Sequence, residues 1–107
     1  MKRLLLLTIA LLLPFGVHAR GNAESGKNKA QVCAACHGPD GNKPSAPDQP
    51  ILAGQHYDYL VRSLTDYKIG RRNNPIMKGF AAQLSKQDIE DLAAWFASQK
   101  SNLHDQR

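Results

Sequence analysis

Apolar residues are spread along this chain in stretches of different character. Leu4 to Leu13 is an almost unbroken apolar run behind the basic start Met1-Lys2-Arg3. A helix predicted to start near Asn22 or Ser25, both good N-cap residues, runs through Gly26 and Ala30 towards Cys33. Gly26 and Ala30 are four apart and so share a face on which another helix could approach closely. From His56 to Ile69, the residues Tyr57, Leu60, Val61, Leu64 and Tyr67 form one stripe at helical period, and Gly70 stands where a helix would stop. The last helix begins at Ser85-Lys86-Gln87-Asp88, a capping-box pattern with Asp in place of Glu, and carries Ile89, Leu92, Ala93 and Phe96 inward until about Lys100. Between these helices lie two irregular stretches. Residues 38–50 hold four prolines and two glycines, which forbid regular structure. Residues 71–84 show no clear period and read as a second loop. No strand alternation and no repeat is visible. The pattern predicts a small all-α domain of about three main helices with long loops.

The first stretch has a separate fate. A basic start, an apolar centre closed by Pro14 and Gly16, and Val17 and Ala19 at the −3 and −1 positions predict a secretory leader, residues 1–19, cleaved after Ala19. A bilayer span takes about 20 apolar residues, so a retained anchor is the weaker reading. The expectation is a periplasmic protein without stable membrane insertion, with residues 20–107 as its single domain. Removing the leader leaves 88 residues, with 12 basic and 9 acidic side chains. That balance is only mildly basic. It lacks the dense Lys/Arg stripe of nucleic-acid binders. A chain this short is also poor in core and calls for a staple: a disulfide, a metal or a cofactor.

The staple is suggested by Cys33-Ala34-Ala35-Cys36-His37, which holds both cysteines of the chain. A Cys-x-x-Cys-His run reads as a c-type haem attachment site. Thiols three positions apart can bond two vinyl groups of one porphyrin, and the next residue can reach its iron. A zinc site would need four ligands, and only His37, His56 and His104 accompany the cysteines after the leader. A thioredoxin-type dithiol expects a βαβ setting, which is absent. A disulfide would close a tiny loop, restrain little of the unfolded chain and leave His37 unexplained.

An iron held by His37 has a sixth position. Met77 is the one methionine left after the leader and lies 40 positions beyond His37, far enough to reach the opposite face of the ring. A thioether raises the reduction potential relative to a second histidine and closes the iron to outside ligands. His56 and His104 are the other candidates. The ring of His37 needs an acceptor for its second nitrogen, and Pro50 offers a carbonyl. Arg62, Lys68, Arg71, Arg72 and Lys78 fall within 17 positions against Asp66 alone. They form either a face that steers an acidic partner or a solvated surface with one or two arginines near haem propionates.

The series from Gly26-Lys27 through Cys33-Ala34-Ala35-Cys36-His37-Gly38, Asp40-Gly41, Pro50-Ile51-Leu52-Ala53-Gly54-Gln55, Tyr59-Leu60, Gly70-Arg71, Met77 and Leu84-Ser85 to Asp91-Leu92-Ala93-Ala94-Trp95-Phe96 resembles the class I c-type cytochromes. It is most similar to short monohaem members related to one half of the dihaem cytochrome c4. The resemblance implies the class I cytochrome c fold around one covalent haem c, thioethers at Cys33 and Cys36, and axial ligands His37 and Met77. It also implies a Pro50 carbonyl on the His37 ring and a last helix crossing Gly26 and Ala30 near Trp95. The function it implies is electron carriage without catalysis, between redox partners such as respiratory complexes, an oxidase or a dehydrogenase. A fixed subunit of a larger oxidoreductase complex and an open-site haem protein with Met77 unbound are the alternatives.

Overall fold

The computed structural model describes residues 20–101; the leader expected at 1–19 and His104 lie outside the described residues. Among the described residues five α-helices follow one another: α1 (Ala23–Lys29), α2 (Ala34–His37), α3 (Tyr57–Lys68), α4 (Pro75–Ala82) and α5 (Lys86–Ser98), with a 3₁₀ turn at Ala30–Val32 between α1 and α2. There is no strand among the described residues.

The three expected helices are α1, α3 and α5. Asn22 caps α1, its side chain accepting from the Ser25 amide. At α5 the capping box is complete: Ser85 accepts from the Asp88 amide and Asp88 accepts from the Ser85 amide. Gly70, at φ 79°, takes the left-handed conformation that ends α3. Two features differ from expectation. The first helix does not run unbroken into the cysteines. It tightens into the 3₁₀ turn, where the Cys33 amide bonds Ala30 O three residues back, and α2 then starts afresh. The segment 71–84, expected to be a loop, contains α4. Asn74 accepts from the amides of Ile76 and Met77, and Pro75 occupies the first helical position, where its missing N–H costs nothing.

Helix α5 is the hub. It crosses α1 and packs along α3, which in turn packs on α4. The α1–α5 crossing is close because Gly26 has no side chain: a Cβ there would lie 2.0 Å from Asp91 O and 2.8 Å from Trp95 Cβ. Ala30, Leu60, Leu92, Ala93 and Phe96 form the central cluster, with Cys33, Leu52, Tyr57, Val61, Leu64 and Leu84 packed against it. Leu92 is the largest side chain with under 2 % exposure. The cysteine-bearing turn is therefore seated on the edge of a small core.

Candidate functional site

Cys33 is the hinge between the 3₁₀ turn and α2, and Cys36 lies one helical turn further on. Neither is in a disulfide, and both are partly exposed. Burial pushes the Cys33 thiol above its ordinary value, and Cys36 beside it adds to the effect. Cys33 packs against the central apolar cluster.

His37 closes α2 and is only 6 % exposed. Its Nδ1 lies 2.9 Å from the carbonyl oxygen of Pro50. A carbonyl can only accept, so Nδ1 carries the proton and Nε2 keeps its lone pair. That is the tautomer a metal-ligating imidazole needs. The loop after α2 folds back over the same turn. The Lys43 amide donates to His37 O at 3.2 Å and the Ser45 amide to Cys36 O at 2.9 Å. Beyond Pro50, the Leu52 amide bonds Gly41 O at 2.8 Å, and Gln55 Nε2 bonds Ile51 O at 2.9 Å.

The structure thus gathers Cys33, Cys36, His37 and Pro50 into one cluster. Met77 comes from a separate element, the first turn of α4, and takes no part in that cluster's hydrogen bonds. It is partly buried, and its amide is tied to Asn74 Oδ1 at 3.1 Å. On the same helix Ile76 and Phe80 are 67 % and 46 % exposed. His56 is exposed and stands as the N-cap position of α3 without a side-chain capping bond.

The basic residues of the second half have unequal environments. Arg62 and Arg71 both lean on Asp66, at 3.8 and 3.6 Å. Arg72 donates to Ser63 Oγ at 3.2 Å and stacks on Tyr67, 4.8 Å from the ring centre. Lys68 donates to the carbonyls of Ala82, the last residue of α4, and of Leu84 just beyond it. The Lys78 side chain makes no ion pair or hydrogen bond among the described residues, and its amide donates to Asn74 O.

These residues fit a covalently held haem. Two cysteines share one turn, Cys33 packs against the apolar cluster, and a buried imidazole presents Nε2. Val32, next to Cys33 in the chain, stays 62 % exposed. A cage made of protein ligands does not fit: among the described residues no three His, Cys, Asp or Glu side chains gather in a metal-holding group. Sequence reading missed two groups that shape the site: Asn74, although Asn-Pro before an apolar pair is a helix-start signal, and the hydrogen bonds of the proline-rich loop, which leave no periodic trace.

The family model of cytochrome c matches residues 23–100. Cytochrome c4 of Pseudomonas aeruginosa is 48 % identical over 101 residues, covering 91 % of this chain and 50 % of the relative. Cytochrome c-554(548) of Halomonas halodenitrificans is 42 % identical over 83 residues, covering 75 % of this chain and 99 % of the relative. The solved structure of reduced recombinant cytochrome c4 from Pseudomonas stutzeri superposes with a TM-score of 0.72 at 46 % identity, covering 78 % of this chain and 48 % of that one. The chain spans about half the length of the cytochrome c4 relatives it matches.

Proposed function

The chain belongs to the cytochrome c family, whose domain holds haem c covalently, and on that premise we propose that it is a periplasmic carrier of single electrons. Cys33 and Cys36 would form the two thioethers, and His37 and Met77 would hold the iron. The observation that carries this reading is the 2.9 Å contact of His37 Nδ1 with Pro50 O, which leaves Nε2 for iron. Bound haem c supplies a one-electron couple between ferric and ferrous iron. The protein's task would be to keep His37 and Met77 in place in both states, so that little rearranges on transfer. Pro50 fixes the plane of the imidazole, and the Asn74 cap fixes the turn that brings Met77. The apolar cluster behind Cys33 would keep water from that side of the turn.

Electron carriage needs a redox partner. Arg62, Lys68, Arg71, Arg72 and Lys78 are the residues we assign to a basic docking face for an acidic one. Export rests on the leader at 1–19; no helix among the described residues is long and apolar enough to cross a membrane. A second reading, a fixed subunit of a larger oxidoreductase complex, is favoured by the exposed apolar residues Ile69, Ile76 and Phe80. Size-exclusion chromatography of the native protein separates a free shuttle from a subunit.

The test of the site is the absorption spectrum of the ferric holoprotein. Methionine ligation gives a weak near-infrared band, which Met77→Ala removes. Absence of the band in the unmodified protein, with ready binding of carbon monoxide to the ferrous form, overturns the closed site and favours a ligand-binding haem protein.

A further inference from the structure

The carbonyl that meets His37 belongs to a loop with few means of holding its shape. Residues 44–50 contain Pro44, Pro47 and Pro50, which offer no N–H. Amides remain at Ser45, Ala46, Asp48 and Gln49. One side-chain oxygen organises them. Gln49 Oε1 accepts from the Ser45 amide at 2.9 Å, from Ser45 Oγ at 2.8 Å and from the Ala46 amide at 3.0 Å. The Gln49 amide returns a bond to Ala46 O at 3.1 Å. Residues 45–49 are thereby closed into a ring at the residue before Pro50. The same Ser45 amide also reaches Cys36 O at 2.9 Å, so the ring is pinned to the turn that carries His37.

We infer that Gln49 is a positioning residue for His37: it aims the Pro50 carbonyl at the imidazole and through it sets the electron density on Nε2. The inference rests on His37 being the iron ligand. A proline fixes its own φ and confines the residue before it to extended backbone. With Gln49 held by three donors, the chief soft torsion between the ring and Pro50 O is ψ of Pro50. The far side of that torsion is anchored by the Gln55–Ile51 and Leu52–Gly41 bonds. The carbonyl is thus braced from both sides. A short Nδ1–H···O bond makes the imidazole a stronger donor, which favours ferric iron and lowers the potential. Freeing Gln49 lets the carbonyl wander, weakens the bond and raises the potential.

The experiment compares holoprotein carrying Gln49→Ala or Gln49→Glu with the unmodified protein by potentiometric titration, alongside thermal unfolding. Glu keeps an acceptor oxygen for Ser45 and Ala46; Ala keeps none. Gln49→Ala is expected to shift the oxidised-to-reduced ratio at fixed poise about threefold towards reduced, or about 28 mV at 59 mV per decade for one electron. Gln49→Glu is expected to stay at or below the unmodified potential. A Gln49→Ala protein that melts earlier yet keeps the unmodified potential overturns the inference and leaves Gln49 a loop staple. A Gln49→Glu protein with the potential of the Ala variant overturns it as well. If the unmodified protein shows no histidine-ligated low-spin spectrum, the reading of His37 has failed instead.

Discussion

Gly26 and Asp91 show how single residues decide the joint between α1 and α5. Gly26 lies against Asp91 O so closely that no Cβ fits, and a side-chain rotation offers no escape, because the nearest clashing atoms are the backbone C and O of Asp91. Gly26→Ala is expected to lower stability by about 3 kcal/mol through overpacking, read as a reduced urea midpoint. The Asp91 side chain, 4 % exposed, accepts from the Asn22 amide at 2.7 Å, from Lys29 Nζ at 2.6 Å and from Gln87 at 2.8 Å. Burial alone would push its carboxyl up, but the bonds from Lys29, Asn22 and Gln87 together hold it below the usual value. Asp88, bonded by Lys29 and by the Ser85 amide, falls from 3.8 to about 2. Both folded values are depressed, so the stabilisation is fully present above 3.8 and is lost as the pH falls towards about 2. Urea midpoints measured across that window are expected to drop in the unmodified protein and to drop less in Asp88→Asn.

Helix α4 is where the elements depart most from what the sequence displays. In α3 and α5 the apolar positions repeat on one inward face, and α5 also carries a cap signal, so both are legible from spacing alone. In α4 the two largest apolar side chains, Ile76 and Phe80, face outward, while Ala81 is the buried contact. Such a helix shows no inward stripe, and Pro75 and Gly79 resemble loop residues. Its start is specified by Asn74 and its end by Lys68, a residue of another helix that donates to the Ala82 and Leu84 carbonyls. The site divides the same way. Cys33, Cys36 and His37 are adjacent in sequence and visible as a motif. The Gln49 staple is invisible, because hydrogen bonds inside an irregular loop have no period. Asn74→Ala is expected to destabilise α4 by about 1 kcal/mol through loss of its cap. Because Met77 sits on that first turn, the same substitution is expected to weaken the near-infrared band on warming, before global unfolding seen by far-ultraviolet circular dichroism.

At the scale of the whole molecule, the haem group and the surface charge answer two different deficits. The core has few large buried side chains, so a chain this size depends on its cofactor for apolar mass. The double substitution Cys33→Ser, Cys36→Ser, which prevents covalent attachment, is expected to abolish cooperative thermal unfolding; a sharp transition in that variant would show that the polypeptide core suffices. The charge is harder to read from a count. Of the five basic residues assigned to docking, Arg62 and Arg71 share Asp66, Arg72 is engaged with Ser63 and Tyr67, and Lys68 holds the end of α4. Their effects on a partner are therefore partly screened at home, and replacing Lys68 disturbs the fold as well as the field. Lys78, unpaired among the described residues and on the same helix as exposed Ile76 and Phe80, is the one whose charge is free to act at a distance. Lys78→Glu is expected to slow electron transfer to an acidic partner about tenfold at low salt, with the difference fading above about 0.15 M ionic strength as the Debye length falls to about 8 Å. Lys68→Glu should instead lower the melting temperature. A Lys78→Glu rate equal to the unmodified one at low salt would place the docking face elsewhere.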